Sequence, residues 1–215
     1  MNIVTVASEV VPFAKTGGLA DIAGTLPRAL AKLGSNVSII MPYYGKIINA
    51  EKFGIRPTGK RVSVGLGDWK IESDILTCNI KPNISVYFIS QPTFFDRNEL
   101  YQTKDGDYPD NAERFTFFSK AAIETMLTLK LKPDVVHVHD WQTALIPLYL
   151  KTTYANDPFY KNIKTVLTIH NIGYQGLFPK EEFPKLGLDW NLFNIEGLEF
   201  YNKINFLKGG IVFSD

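Results

Sequence analysis

Short β-branched runs alternate with longer helical patterns along this chain, and that alternation constrains the fold more than any other feature of the sequence. Ile3 to Ala7 reads as a buried strand. Leu19, Ile22, Ala23, Leu26, Leu30 and Leu33 then recur at helical spacing, with Gly34 as the expected stop and Pro27 as an expected kink or break. Val37 to Met41, closed by Pro42, is the next strand. Ser63 to Trp69 and Ile71 to Ile80 alternate like the arms of a hairpin around Gly67-Asp68, and Val86 to Ser90 is another buried strand. Asn111 to Lys130 predicts a long helix with Phe115, Phe118, Ala122 and Met126 on one face. Val135 to His139 is a strand, Thr143 to Lys151 a helix, and Thr165 to His170 a strand again. Such alternation builds βαβ units, so the expected class is α/β, doubly wound, with a mostly parallel sheet. Lys208 to Asp215 reads as a loop opening into one more buried strand, an ending that suggests a piece of a longer protein.

Composition bounds what such a sheet can serve. The 215 residues can bury roughly 70% of the surface their unfolded chain exposes. They suit one large domain or two small ones, and no Pro/Gly/Ser linker or internal repeat divides them. Lys plus Arg total 23 against 22 Asp plus Glu, a net charge of +1. That near-neutrality argues against a nucleic-acid partner. Cys78 is the only cysteine, so no internal disulfide forms and a reducing compartment fits best. The N-terminus lacks the basic start and apolar run of a secretory signal. No window approaches the roughly 18 apolar residues of a membrane span. The expectation is a soluble, cytoplasmic protein.

Three polar loops follow three of the strands. In Lys15-Thr16-Gly17-Gly18-Leu19-Ala20-Asp21, paired glycines let backbone N–H groups approach a ligand at a helix start. Unpaired donors and the dipole there favour phosphate. Lys15 adds a mobile positive charge. The string is neither a dinucleotide fingerprint nor a Walker loop, and it reads equally as a flexible turn with Asp21 favouring the helix's first turns. In His137-Val138-His139-Asp140-Trp141-Gln142, the two histidines share one face and Asp140 falls at the strand's carboxyl end. Ligands of open α/β sheets bind there. Asp140, Trp141 and Gln142 are placed to bind something polar, with Trp141 able to stack on a sugar or base. The alternative makes His137 and His139 bonded core residues and Asp140 a helix cap. The third loop, Thr168 to Gly176, delivers His170 together with Asn171 and Gln175, amides of the kind that read hydroxyls. Its Asn and glycines also suit a plain turn. Three such loops point to one shared crevice.

His137, His139 and His170 leave a zinc site open, although no specific ligand spacing is present. Phe94 to Tyr101 and Asp107 to Arg114 mix aromatics with Asp, Asn and Arg, which suits carbohydrate as well as it suits a surface loop and a helix start.

These residues together resemble the family 5 glycosyltransferases, the bacterial glycogen synthases and plant starch synthases. The Lys-Thr-Gly-Gly-Leu string is the most specific match, joined by the His137 to Gln142 and Thr168 to Gly176 loops. Phe95-Asp96-Arg97 with Tyr101, Tyr108 to Phe115, and Lys208 to Val212 also match, in order along the whole chain. The resemblance implies the N-terminal half of a GT-B enzyme, with two Rossmann-like domains around a cleft. It implies retaining transfer of glucose from ADP-glucose to the non-reducing end of an α-1,4-glucan (glycogen, starch or maltooligosaccharides), with no metal or other cofactor. Residues 1–215 would be the acceptor-side domain. The C-terminal half, absent here, would carry the main nucleotide contacts and the catalytic arginine, lysine and glutamate. By position, Lys15 matches the family's lysine for the donor phosphates, beside Gly17 and Gly18. Asp21, Asp140, His170 and Tyr101 match positions on the glucosyl and acceptor side. A plant origin would imply a plastid, though no transit peptide is seen. A retaining glycosidase needs two carboxylates about 5 Å apart. Only Asp140 is seen at these strand ends, which favours transfer driven by a nucleotide leaving group. The rival readings are a metal-dependent hydrolase using His137, His139 and His170, and a non-catalytic glucan or sugar-nucleotide binding module.

Overall fold

The computed structural model describes residues 1–215. A seven-stranded sheet forms the centre, in the order β3-β4-β5-β2-β1-β8-β9. Its strands are β1 (Asn2–Val6), β2 (Asn36–Pro42), β3 (Arg56–Leu66), β4 (Trp69–Lys81), β5 (Ile84–Ser90), β8 (Val135–His139) and β9 (Lys164–Thr168). The helices are α1 (Gly18–Lys32), α2 (Ala50–Phe53), α3 (Pro92–Phe95), α4 (Asn111–Thr128), α5 (Leu145–Lys151), α6 (Phe183–Leu186) and α7 (Phe206–Phe213). Two small sheets sit apart from the main one: β6 (Gln102–Thr103) with β7 (Gly106–Asp107), and β10 (Leu177–Pro179), β11 (Glu199–Phe200) and β12 (Lys203–Asn205).

The chain enters at the middle of the sheet. It adds β2 beside β1, jumps to the far edge to form the β3–β4 hairpin, and comes back to insert β5 between β4 and β2. It then crosses over to lay β8 and β9 on the other side of β1. The β5-β2-β1-β8-β9 pairings are all parallel. β1 is therefore a switch point, with β2 on one flank and β8 on the other. Right-handed crossovers in opposite directions put α1 on one face and α4 and α5 on the other. α4 does pack on α5. The expected mixed α/β class holds, with the hairpin as its antiparallel edge.

Burial explains the local choices. β1 and β2 are covered on both faces, so they read as continuous apolar runs. β3 instead alternates, burying Val62, Val64 and Leu66 under α4. α1 runs through Pro27 without the break that was one of the two expectations there. It stops at Gly34, whose φ of +89° is left-handed and suits glycine. β9 ends at Thr168, so Ile169 and His170 belong to the loop.

The C-terminal expectation fails. Phe206–Phe213 is helix, not loop and strand. The Asn205 side chain caps it by accepting from the Lys208 N–H at 2.9 Å. Gly209 and Gly210 are there for contact: a Cβ on Gly210 would lie 2.7 Å from the Ala144 Cβ and 2.9 Å from its carbonyl oxygen. The glycines let α7 close on α5, and no local pattern announces a distant partner.

Candidate functional site

The loops after β1, β8 and β9 emerge side by side, because β8 lies between β1 and β9 in the sheet. They wall a cavity of about 950 Å³ together with the segment from Glu99 to Asp107 and the β10 strand. Of the residues singled out in the sequence, Gly17, Gly18, Asp21, Tyr101, Asp140, Trp141, Gln142, His170, Asn171 and Gln175 line it. Lys15 does not. Its Nζ is paired with Asp21 at 2.7 Å, both side chains 51% exposed, a pairing worth little in water.

The cavity wall holds a residue that the sequence reading passed over. Glu9 follows β1, is 3% exposed, and lines the cavity. Its carboxylate accepts from the Thr16 N–H at 2.5 Å, the Thr16 hydroxyl at 2.8 Å, the Gly17 N–H at 3.2 Å and the Tyr101 hydroxyl at 2.9 Å. Two backbone donors expected to meet an anion are thus taken by an internal one. The N–H groups at the start of α1, from Gly18 onward, keep that role. A carboxylate close to two glycines and a buried loop was the available signal, but nothing in its spacing told it from a surface Glu. Tyr101 also bonds the Ser8 Oγ at 2.6 Å. Burial pushes its phenol pKa well up.

Asp140 sits in the left-handed region, φ +55°, which Asp tolerates better than most residues. Its Oδ1 accepts from the His170 N–H at 2.7 Å, and its own N–H donates to the Thr168 carbonyl. It ties two loops together and does not cap α5 through its side chain. Burial pushes its carboxyl pKa up, opposed by the His170 N–H.

Trp141 is 8% exposed and packs edge-on against Phe115 and Phe178, with centroids 4.9 and 5.7 Å away. Its ring is core with an edge on the cavity, so the open stacking platform expected for it is not formed. Gln142 is likewise buried, and its Oε1 has no partner in the protein. Gln175 spends both ends on structure: its Oε1 accepts from Asn205 and its Nε2 donates to the Ile172 carbonyl. Asn171 uses its Oδ1 on the Gly173 N–H and leaves its amide nitrogen free at the rim. The stretch around Arg97 is also internally satisfied. Arg97 pairs with Asp110, and the fully buried Arg114 donates to the Phe94 and Leu100 carbonyls, fixing the backbone that presents Tyr101.

The three histidines form a row. His137 Nε2 meets Thr168 Oγ1 at 2.7 Å, and its ring centroid lies 4.2 Å from that of His139. His139, fully buried, meets His170 Nε2 through its Nδ1 at 3.0 Å. Burial pushes the His137 and His139 pKa values down, and each is lowered further by a neighbouring imidazole. Rings stacked in this way do not converge on a point. No group of three or more His, Cys, Asp or Glu side chains is arranged to hold a metal ion.

A sequence profile of the starch synthase catalytic domain matches residues 2–215. The chain belongs to the starch synthase catalytic-domain family. It is 47% identical over all 215 residues to a glycogen synthase of Syntrophotalea carbinolica and 48% identical to one of Koribacter versatilis. It spans 44% of the length of each. The catalytic domain of starch synthase IV from Arabidopsis thaliana, solved bound to ADP and acarbose, superposes with a TM-score of 0.88 at 31% identity. That match covers 99% of this chain and 43% of the other. The starch synthase family fold therefore accounts for the mostly parallel sheet of this chain. No helix is long and apolar enough to cross a membrane.

Proposed function

We propose that this chain is the acceptor-side, N-terminal domain of a retaining glucosyltransferase of the cytoplasm. The full-length protein would move glucose from ADP-glucose to the non-reducing end of an α-1,4-glucan. The observation that carries this reading is the single cavity at the carboxyl ends of β1, β8 and β9. It joins a helix N-terminus at Gly18 to a polar wall that includes Asp140, His170 and Asn171. A departing nucleotide needs positive charge and preorganised donors. The α1 N-terminus supplies donors, and Lys15 supplies charge once it leaves Asp21. His170 and Asp140 line the same cavity as that loop, and in this reading they meet the glucosyl unit while Tyr101 and Asn171 border the acceptor's approach. Hydrolysis by a carboxylate pair is disfavoured. Glu9 adds a second buried carboxylate beside the one expected, but donors already occupy it, which blunts it as a nucleophile. The nucleotide's base, and the arginine, lysine and glutamate implied for catalysis, are assigned to the C-terminal half. The lone buried Cys78 fits a reducing compartment.

The test is a turnover assay of the full-length protein with ADP-glucose and maltoheptaose, reading chain elongation and anomeric configuration. Elongation with retention supports the reading. Release of free glucose without elongation, or a requirement for zinc, overturns it.

A further inference from the structure

His139 is fully buried at the end of β8 and touches the cavity only through another residue. Its Nδ1 lies 3.0 Å from His170 Nε2, and its Nε2 meets no hydrogen-bonding group of the protein. Its main chain is clamped at both ends by Thr143: the His139 N–H donates to Thr143 Oγ1 at 2.7 Å, and that hydroxyl donates to the His139 carbonyl at 2.7 Å. His170 is held at two points in turn, its N–H by Asp140 and its ring by His139.

A neutral imidazole has one N–H. On the Nε2 of His139 it would be a buried donor with nothing to bond, which costs more than a bare lone pair there. On Nδ1 it is used, donated to His170 Nε2. His170 Nε2 is then an acceptor, so a neutral His170 carries its own proton on Nδ1. That nitrogen makes no hydrogen bond within the protein, while the residue lines the cavity. We infer that His139 is a positioning residue that locks His170 in the Nδ1–H tautomer, so that the imidazole offers the cavity a hydrogen-bond donor and not a base. The low pKa that burial imposes on His139 keeps it in the neutral form this requires. His137 closes the row on the other side, its ring stacked on His139 and its Nε2 on Thr168.

A donor in this place fits a sugar hydroxyl or an oxygen gaining negative charge as a bond breaks. It does not fit removal of a proton from the acceptor. The tautomer stands independently of the glucosyl-transfer reading, whereas its kinetic consequence rests on that reading.

The chain has only three histidines. In ¹⁵N-histidine-labelled protein at neutral pH, long-range ¹H–¹⁵N correlations should show His139 and His170 both protonated on Nδ1 and bare on Nε2. A proton on Nε2 of either residue overturns the inference. The paired variants are His139→Gln, whose amide N–H can still reach His170, and His139→Phe, which keeps a ring without a donor. In the full-length protein His139→Phe should lower kcat on the order of 100-fold with the maltoheptaose KM changed less than about threefold, and His139→Gln should recover about tenfold of that loss. Equal losses in two variants that melt like the parent would overturn the positioning role. Should His139→Phe fail to fold, the wild-type spectrum and His139→Gln decide. If the spectrum is as expected and the full-length protein transfers no glucose, the tautomer stands and the proposed function falls.

Discussion

At the scale of the residue, the site is organised by buried polar groups that hold one another. Glu9 takes four donors from two loops, so Glu9→Ala strands the Thr16 and Gly17 N–H groups and frees Tyr101. That substitution should cost about 1–3 kcal/mol, read as a lower denaturant midpoint at unchanged m-value. Glu9→Gln should cost less, because the Thr16 and Tyr101 hydroxyls can reverse roles and accept from an amide. Equal costs would show that the network does not stabilise the loop. Lys120 poses the opposite problem. It is buried on α4 with its Nζ on the Gly65 carbonyl, and burial pushes its pKa down to about 8 from an ordinary 10.5. Between these values the unfolded chain binds more protons than the folded one, so stability from this group rises with pH. Below pH 8 the folded state carries a buried ammonium at a cost of at most about 3 kcal/mol. Lys120→Met should therefore stabilise at pH 7, and its advantage should shrink by pH 10. A gap that stays constant across that range would show that Lys120 is not the group titrating.

At the scale of the element, α7 shows how a sequence can mislead. The run Gly-Gly-Ile-Val-Phe has poor helix propensity and strong strand character. It is helical because Asn205 caps it and because Gly209 and Gly210 let it lie against Leu198, Leu148 and Ala144. Gly210→Ala should improve propensity yet destabilise, by roughly 1–3 kcal/mol, since the added carbon meets α5 backbone. Ile211→Ala, on the exposed side of α7, should fall within about 0.5 kcal/mol of the parent. Stabilisation by Gly210→Ala, measured by thermal melts, would mean the α5–α7 contact is looser than described. The long α4 helix was legible because its aromatic residues recur at helical spacing. The depth of its burial was not, since it is buried on nearly every side between the sheet, α5 and α6.

At the scale of the whole molecule, the chain spans 44% of the relatives it matches, and in the proposed reading it supplies one wall of the cleft. Holding both reactants in one geometry contributes on the order of 7–11 kcal/mol to catalysis in favourable cases. A single wall open to water cannot provide that. Residues 1–215 alone should show weak glucan binding and no measurable glucosyl transfer. Robust elongation from ADP-glucose by this chain would refute the domain assignment. In the full-length protein, Lys15→Ala should lower kcat/KM by about 100- to 1,000-fold with the melting temperature unchanged, as expected for a charge that meets the donor only in the closed state. Its exposed pairing with Asp21 predicts that unchanged melt.

Strand and helix order, the parallel sheet, the strand-end loops and the family were all readable along the chain, because each depends on periodicity or on residues adjacent in sequence. The Lys-Thr-Gly-Gly-Leu loop, Asp140 and His170 were found in this way. What each group does at the cavity was decided only by contacts between residues far apart. Glu9 became a wall residue through Tyr101, 92 positions away. Gln175 and Trp141 line the cavity but are also held through Asn205, Phe115 and Phe178. His139 acquired a role through His170, 31 positions on. A hydrogen bond or a close approach selects its partner by distance in space. Local pattern carries no record of that distance, so the sequence could say which residues reach the strand ends but not which of them are already spoken for.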